Sequence, residues 1–381
     1  MAKLELIATA TFGLEAVVAQ ELRSLGYEEL NVENGKVSFV GDADALCRSN
    51  MQLRTADRVR LKIGEFTAFT FEELFEKTKA LDWSEIIPEN ASFPVEGKSI
   101  KSTLFSVSDC QAIVKKAVVE SLKKKYKNQW FAETGPVYKI EVALLKDVVT
   151  LTIDTSGPGL HKRGYREQAS YAPLRETLAA ALILLSRWYP DTALIDPLCG
   201  SGTIPIEAAL IGRNIAPGIR RSFVSEDWSF ISKKCWDKAR EEAEDNIKRN
   251  QELDIMGTDL DYSVLQLARN NAKIAGVADA IHFQKKALAE LSSKKKYGKI
   301  ICNPPYGERL GEMTDIESLY AEMGEVFGRL DSWSFYILTS HQHFESLFGK
   351  RASKKRKLYN GKIMVNYYQY FGPRLPKGYS D

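Results

Sequence analysis

Asp196-Pro197-Leu198-Cys199-Gly200-Ser201-Gly202-Thr203 follows the apolar run Ala193-Leu194-Ile195 and precedes Ile204-Pro205-Ile206-Glu207-Ala208-Ala209. A short buried strand, a glycine-rich turn and an apolar helix in that order make a turn whose backbone can lie close against a ligand. Pro205 stands where a dinucleotide fingerprint carries its third glycine, and no Walker lysine follows, which argues against a phosphate cradle. A carboxylate at the strand end followed by Gly-x-Gly suits a ligand with an amino group and no phosphate, and S-adenosylmethionine is such a ligand. Asp196, Leu198, Gly200, Ser201, Gly202 and Thr203 are the candidate contacts.

Around this stretch, helical and short apolar segments alternate from residue 170 onward. Leu174 to Trp188 and Ile204 to Arg213 read as helices, and Ile255 to Asp259 as the next strand. Tyr262 to Ile274 is helical, 280–283 and 299–302 are strands, 316–330 is helical, and 334–339 and 363–371 are strands. Such alternation predicts an α/β fold with a mostly parallel, doubly wound sheet, which binds ligands at the carboxyl ends of its strands. In Gly257-Thr258-Asp259-Leu260-Asp261 the strand-end Asp259 can accept both ribose hydroxyls, with Leu260 beside it, and Asp261 caps the following helix. Residues 214–253 read as an insertion, helical around 236–250.

Ile300-Ile301-Cys302-Asn303-Pro304-Pro305-Tyr306-Gly307 sets two prolines directly after a buried strand, which fixes an extended turn. The Asn303 side-chain oxygen and the Pro304 carbonyl can accept the two N–H groups of an exocyclic amine. Tyr306 offers a face for stacking a base. Asn303, Pro304 and Tyr306 are therefore the candidate catalytic residues.

The 381 residues exceed one hydrophobic core. No run of 18 apolar residues and no signal-type leader is present, so a cytoplasmic protein without a membrane partner is expected. Five cysteines without a C-x-x-C pair, and four histidines apart from them, predict no metal site. Neither Cys199 nor Cys302 has an adjacent base, and both read as packing residues. His341 and His343 read as surface residues, and Trp83, Trp130, Trp188 and Trp228 as core. Residues 1–60 predict a small β-α-β-β-α unit. Residues 61–155 predict a second mixed unit with a helix from Cys110 to Tyr126, capped by Ser108-Asp109, and extended chain after Ser99. The break at Thr155-Ser156-Gly157-Pro158-Gly159 predicts a linker over 156–170 before a catalytic domain at 171–381. The net charge of +3 hides two basic clusters. Residues 101–127 hold seven basic and two acidic residues, and 350–357 hold six basic and none acidic. On the 110–126 helix, Lys116, Lys123 and Lys127 share a face suited to RNA phosphates, while Leu122 faces inward.

DPLCGSGT and NPPY together resemble a class I S-adenosylmethionine-dependent methyltransferase acting on an exocyclic amine. With the two N-terminal units and Gly-Leu-His-Lys-Arg-Gly-Tyr-Arg at 159–166, the chain resembles the THUMP-containing RNA methyltransferases. Ala10-Thr11-Phe12-Gly13-Leu14-Glu15, DPLCGSGTIPIEAA and NPPYGERL narrow this to a likeness with the bacterial 23S rRNA guanine-N2 methyltransferases in their short, unfused form. Such proteins are often labelled N6-adenine-specific DNA methylases. The resemblance implies a ferredoxin-like unit at 1–60, a THUMP domain at 61–155, and structured RNA, 23S rRNA first, as partner. It implies that Asp196, Gly200 and Gly202 surround the methionine part of the cofactor, Asp259 its ribose, and Asn303, Pro304 and Tyr306 the base. His161 and Arg163 are expected to touch RNA. One departure is Ala287, where related enzymes carry an aspartate for the adenine amino group. A tRNA guanine-N2 methyltransferase, a DNA adenine-N6 methyltransferase and a non-catalytic RNA-binding protein are the rival readings.

Overall fold

The computed structural model describes residues 3–166, 174–306 and 313–374. Residues 167–170 of the expected linker and Gly307-Glu308-Arg309-Leu310 of the family motif lie outside them.

The N-terminal half runs β1 (Leu4–Ala10), α1 (Glu15–Ser24), β2 (Leu30–Glu33), β3 (Lys36–Gly41), α2 (Ala43–Gln52), β4 (Ala56–Thr67), α3 (Phe71–Lys79), β5 (Val95–Ile100), α4 (Val107–Tyr126), β6 (Ile140–Leu145) and β7 (Val148–Asp154). Its seven strands form one sheet in the order β2-β3-β1-β4-β7-β6-β5, antiparallel except for β5 and β6. The units expected on either side of residue 60 share this sheet, because β4 runs through that position and pairs with β1 and β7. Val59 and Leu61 in β4 point to the core, while Arg58, Arg60 and Lys62 alternate with them. Two details differ from the sequence reading. Extended chain precedes Lys101 rather than following it, and α4 starts at Val107 after Ser106, whose side chain makes no capping bond.

The catalytic half runs α5 (Glu176–Ser186), β8 (Leu194–Asp196), α6 (Thr203–Gly212), α7 (Lys233–Asp245), β9 (Ile255–Asp259), α8 (Tyr262–Ala275), β10 (Ile281–Lys285), β11 (Lys299–Cys302), α9 (Met313–Gly328), β12 (Ser334–Thr339), α10 (Phe344–Leu347), β13 (Lys354–Asn360) and β14 (Ile363–Tyr370). Its sheet has the order β10-β9-β8-β11-β12-β14-β13. The first five strands are parallel, and β14 and β13 close the sheet antiparallel. Helices α5 and α6 are apolar nearly all round, as expected of helices packed on every side.

The expected linker is not a loose tether. Thr155 and Ser156 are fully buried; Thr155 Oγ1 donates to the Val59 carbonyl at 2.7 Å, and Ser156 Oγ donates to Asn50 Oδ1 at 2.6 Å. Arg163, expected to reach RNA, is also buried. Its guanidinium donates to the Leu160 and Arg54 carbonyls and lies 3.5 Å from the fully buried Glu207 carboxylate of α6. Tyr165 Oη donates to the same carboxylate at 3.1 Å. A charge inside low-dielectric packing must be paired, so Arg163 joins the two halves instead of facing solvent. Trp83, Trp188 and Trp228 are core as expected, but Trp130 is exposed.

Candidate active site

The glycine-rich turn is held from three sides. The Cys199 N–H donates to the Thr258 carbonyl at 2.9 Å, tying the turn to β9. Asn271 of α8 donates to the Ser201 carbonyl at 3.1 Å. Arg166 donates to Thr203 Oγ1 at the first turn of α6 and pairs with Glu176 of α5 at 3.4 Å. Gly202 has φ +83°, and a Cβ there would lie 3.0 Å from both Ala268 and the Phe283 ring. Only glycine satisfies that backbone and that contact together. Asn271 carries no sequence signal, being a lone Asn on a helix, and Arg166 ends the 159–166 segment without any feature that points to α6.

Asp196 and Asp259 end adjacent parallel strands but differ in surroundings. Asp196 is buried and accepts one backbone N–H, from Leu198 at 3.2 Å. Burial pushes its carboxyl well above the usual range, and the Asp259 charge pushes the same way. Asp259 is half-buried and accepts one bond on each oxygen: Oδ2 takes the Gly200 N–H at 2.9 Å and Oδ1 takes the Asp261 N–H at 3.0 Å, which leaves a further acceptor site on each. Asp261 caps α8, accepting from the Ser263 N–H at 2.8 Å, as its position predicts. Leu198 is half-buried, Ser201 and Thr203 are buried, and Leu260 is 62% exposed next to Asp259.

These residues fit S-adenosylmethionine. A desolvated carboxylate with one backbone donor is short of a cation, which an α-ammonium supplies. The lone pairs left on Asp259 suit ribose hydroxyls. Exposed Leu260 and Tyr262 give an apolar border of the kind an adenine ring covers. At Ala287 the backbone N–H is taken by Glu290 Oε2 at 3.1 Å, so a carboxylate does stand after β10, three residues beyond the expected aspartate.

β11 carries Asn303 and Pro304 out of the sheet at the same edge. Asn303 and Tyr306 are half-buried and Pro304 is buried. The Tyr306 hydroxyl donates to Asn303 Oδ1, a bond the sequence did not suggest. It orients the amide and engages the oxygen expected to receive an amine. Tyr320 of α9 donates to the Pro305 carbonyl at 2.8 Å and shares a hydrogen bond of 2.8 Å with Thr339 at the end of β12. Against Tyr320, edge to face, lies His341. This histidine is 7% exposed rather than a surface residue, and its Nδ1 has no hydrogen-bond partner among the described residues. His343 is exposed. Cys199 and Cys302 are buried, with thiols pushed up by burial, as packing residues would be.

The candidate RNA contacts spread widely. Lys116 and Lys127 are exposed, Lys123 pairs with Glu120 at 2.9 Å, and Leu122 is fully buried. His161 is half-buried and lowered to about 4 by burial and neighbouring arginines, so it is neutral at physiological pH and supplies no charge for phosphate. No group of three or more metal-ligating side chains occurs among the described residues. Among them, no helix is long and apolar enough to cross a membrane.

Family models describe three parts of the chain: an RlmL ferredoxin-like domain over residues 5–60, a THUMP domain over 68–154, and an RMKL-like methyltransferase domain over 163–369. YpsC of Bacillus subtilis (strain 168), described as a candidate RNA methyltransferase, is 55% identical over 379 residues, 99% of this chain and 98% of its own. A protein from Listeria monocytogenes str. 4b F2365, described as a predicted N6-adenine-specific DNA methylase, has a structure matching with TM-score 0.94 at 54% identity, over 98% of this chain and 97% of that one. SMU.472, a candidate methyltransferase solved with SAH, matches with TM-score 0.93 at 45% identity, over 99% and 100%. With the methyltransferase model covering more than half of its residues and a relative this similar along its whole length, the chain belongs to the RMKL-like methyltransferases, preceded by an RlmL-type ferredoxin-like domain and a THUMP domain.

Proposed function

We propose that this S-adenosylmethionine-dependent methyltransferase methylates the exocyclic N2 amine of a guanine in 23S rRNA. The observation that carries the reading is the NPPY turn on β11, at the same sheet edge as Asp196 and Asp259 on β8 and β9. That shared edge supports an amine acceptor site beside a cofactor site. The THUMP and RlmL-type domains favour RNA over DNA, and the description of YpsC agrees.

The cofactor supplies an electrophilic methyl group. Every other requirement falls on the chain. Asp196 holds an ammonium, and the Gly200–Asp259 bond fixes two loops against each other. The guanine N2 lone pair is delocalised into the ring, so the amine attacks only if it is held partly pyramidal. Asn303 Oδ1 and the Pro304 carbonyl accept its two N–H groups and turn the lone pair toward the methyl. Tyr306, already bonded to Asn303, sets the amide's orientation and presents its ring to the base. As the nitrogen–methyl bond forms and the sulfur–methyl bond breaks, leaving a neutral thioether, the amine proton becomes acidic enough to pass to water, so no strong base is needed. Alignment supplies most of the rate. The target must be unstacked to enter, at a few kcal/mol. The rest of the chain grips structured RNA through shape and phosphates.

The same acceptor pair would serve an adenine N6 amine, which is how the Listeria protein is described, and the active site does not separate rRNA from tRNA. Methyl transfer from labelled cofactor to unmodified 23S rRNA, tRNA and DNA in parallel tests the reading. Label in 23S rRNA alone is expected; label in tRNA alone or DNA alone overturns it.

A further inference from the structure

The last four residues of the basic cluster at 350–357, which no part of the catalytic site uses, begin the edge strand β13. Lys354, Lys355 and Lys357 of β13 are exposed, and none of the six cations from Lys350 to Lys357 has a carboxylate within 4.0 Å among the described residues. Lys355, Lys357 and Tyr359 alternate along one face, about 6.8 Å apart per pair of residues. Tyr359 meets the half-exposed Phe12 edge to face, ring centroids 6.0 Å apart. Lys357 Nζ lies over the Tyr359 ring at 5.8 Å and Lys355 Nζ over the Tyr368 ring at 4.8 Å.

Phe12 comes from the other half of the chain, in the turn between β1 and α1. That turn is pressed onto β13. Gly13 has φ +91°, and a Cβ there would lie 2.8 Å from the Lys357 carbonyl. Glu15 holds the turn by accepting the Gly13 and Gly35 N–H groups at 2.8 and 2.9 Å. Leu358, fully buried, shares a core with Leu14 and Val17. The turn that carries Phe12 is therefore held against β13 before any partner arrives, which lowers the cost of binding.

Register ties this surface to the acceptor site. Cys302 of β11, just before Asn303, pairs with Ile337 of β12, Ile337 with Tyr368 of β14, and Tyr368 with Lys355 of β13. Three steps across the sheet amount to about 14 Å. Lys357 and Tyr359 continue from Lys355 toward the carboxyl edge where the NPPY turn emerges. Lysines alone on an edge strand serve to block aggregation. A single-sign row beside the half-exposed Phe12 and the partly buried Tyr359 combines two other features: cations track phosphates and rings stack bases, which is how single strands are held.

We propose that β13 and the Phe12 turn form a docking track for the unpaired RNA flanking the target nucleotide, with a base against Phe12 and Tyr359 and phosphates at Lys355 and Lys357. This rests on the RNA reading above. The full-length protein is titrated into an unmodified 23S rRNA transcript and into a 20-nucleotide oligouridylate across a salt series, with kcat and KM measured on the transcript. Phe12→Ala is expected to weaken binding of both by about 5-fold or more, and Phe12→Tyr to retain it. Lys355→Gln with Lys357→Gln should lower the log–log salt slope by about 1.4 and raise KM, with kcat and cofactor affinity within 2-fold. Folded variants with unchanged affinity and slope overturn the track. If Phe12→Ala fails to fold, the lysine pair decides. Wild-type protein that methylates RNA while the variants match it sinks the track alone; wild-type protein that methylates only DNA sinks the RNA reading first.

Discussion

The two sheets have seven strands each and put their functional groups in opposite arrangements. In the catalytic sheet β8, β9, β10, β11 and β12 are parallel, so the loops after them leave at one edge, and Asp196, Asp259 and Asn303 all lie along it. In the N-terminal sheet nearly all neighbours are antiparallel, so successive loops leave at opposite edges and no edge collects them. Its cations are spread over surfaces, several already matched by carboxylates: Lys115 by Glu133 at 2.5 Å and Lys123 by Glu120 at 2.9 Å. The contrast teaches where single substitutions should be decisive. At the catalytic edge one buried partner decides an outcome, whereas on the N-terminal surface each contact is small and salt-dependent.

The largest effect should come from the seam between the halves. Arg163→Ala leaves Glu207 buried without its ion-pair partner, and breaking such a pair costs about 3–5 kcal/mol. Thermal unfolding should register the loss. If Arg163→Ala keeps its stability and instead weakens RNA binding, the assignment of Arg163 to the seam is wrong. Next comes Asn303→Ala, which should lower methyl transfer by roughly 100-fold or more, since one positioned polar partner in a transition state contributes about 2.7–4 kcal/mol. Cofactor affinity by calorimetry should stay within a few-fold, and full activity would remove Asn303 from the mechanism.

Asp259→Ala should weaken the cofactor by about 1.5–3 kcal/mol, the usual contribution of hydrogen bonds to a charged group. Asp261→Ala should cost less, because its carboxylate already caps α8. The reverse order would exchange their roles. Asp196 predicts a pH effect. Its folded carboxyl is raised, so the unliganded protein keeps a proton there over a window above the ordinary aspartate value. Stability from that protonated form is complete below the unfolded value and is lost as pH rises through the folded one. Since an ammonium favours the carboxylate, cofactor affinity should rise with pH across the same window and release a proton. Calorimetry in buffers of different ionisation enthalpy reads this directly, and Asp196→Asn should abolish the release. The smallest effect belongs to the N-terminal surface: Lys116→Glu with Lys123→Glu should flatten the salt slope of RNA binding by less than two full contacts of about 0.7–0.9 each, because Lys123 is partly neutralised by Glu120. A larger drop would mean that the antiparallel half concentrates its contacts after all.

Much of the catalytic half was legible. Strand-end carboxylates, the glycine turn and the double proline are local signals, and parallel topology brings them together without further information. Asp261 as a cap and Leu122 as an inward residue follow from spacing alone. What was not legible depends on tertiary partners. Residues 354–360 carry four cations in a row and read as a charged patch, yet they pair with β14 as an edge strand. Arg163 and Thr155-Ser156 sit in a stretch whose glycines suggest a loose connection, and only the fold shows them buried. His341 looks like a surface histidine until Tyr320 packs against it. β4 is a different case, since Val59, Leu61 and Ile63 alternate with polar residues and mark a strand that crosses the expected division.

The most direct test of the central claim is the chemical identity of the product. Unmodified 23S rRNA is incubated with the protein and the methyl donor, digested to nucleosides and resolved by mass spectrometry. Methyl transfer to an exocyclic guanine amine predicts N2-methylguanosine as the new nucleoside, absent with Asn303→Ala. N6-methyladenosine instead, or a guanosine methylated on a ring nitrogen, would contradict it.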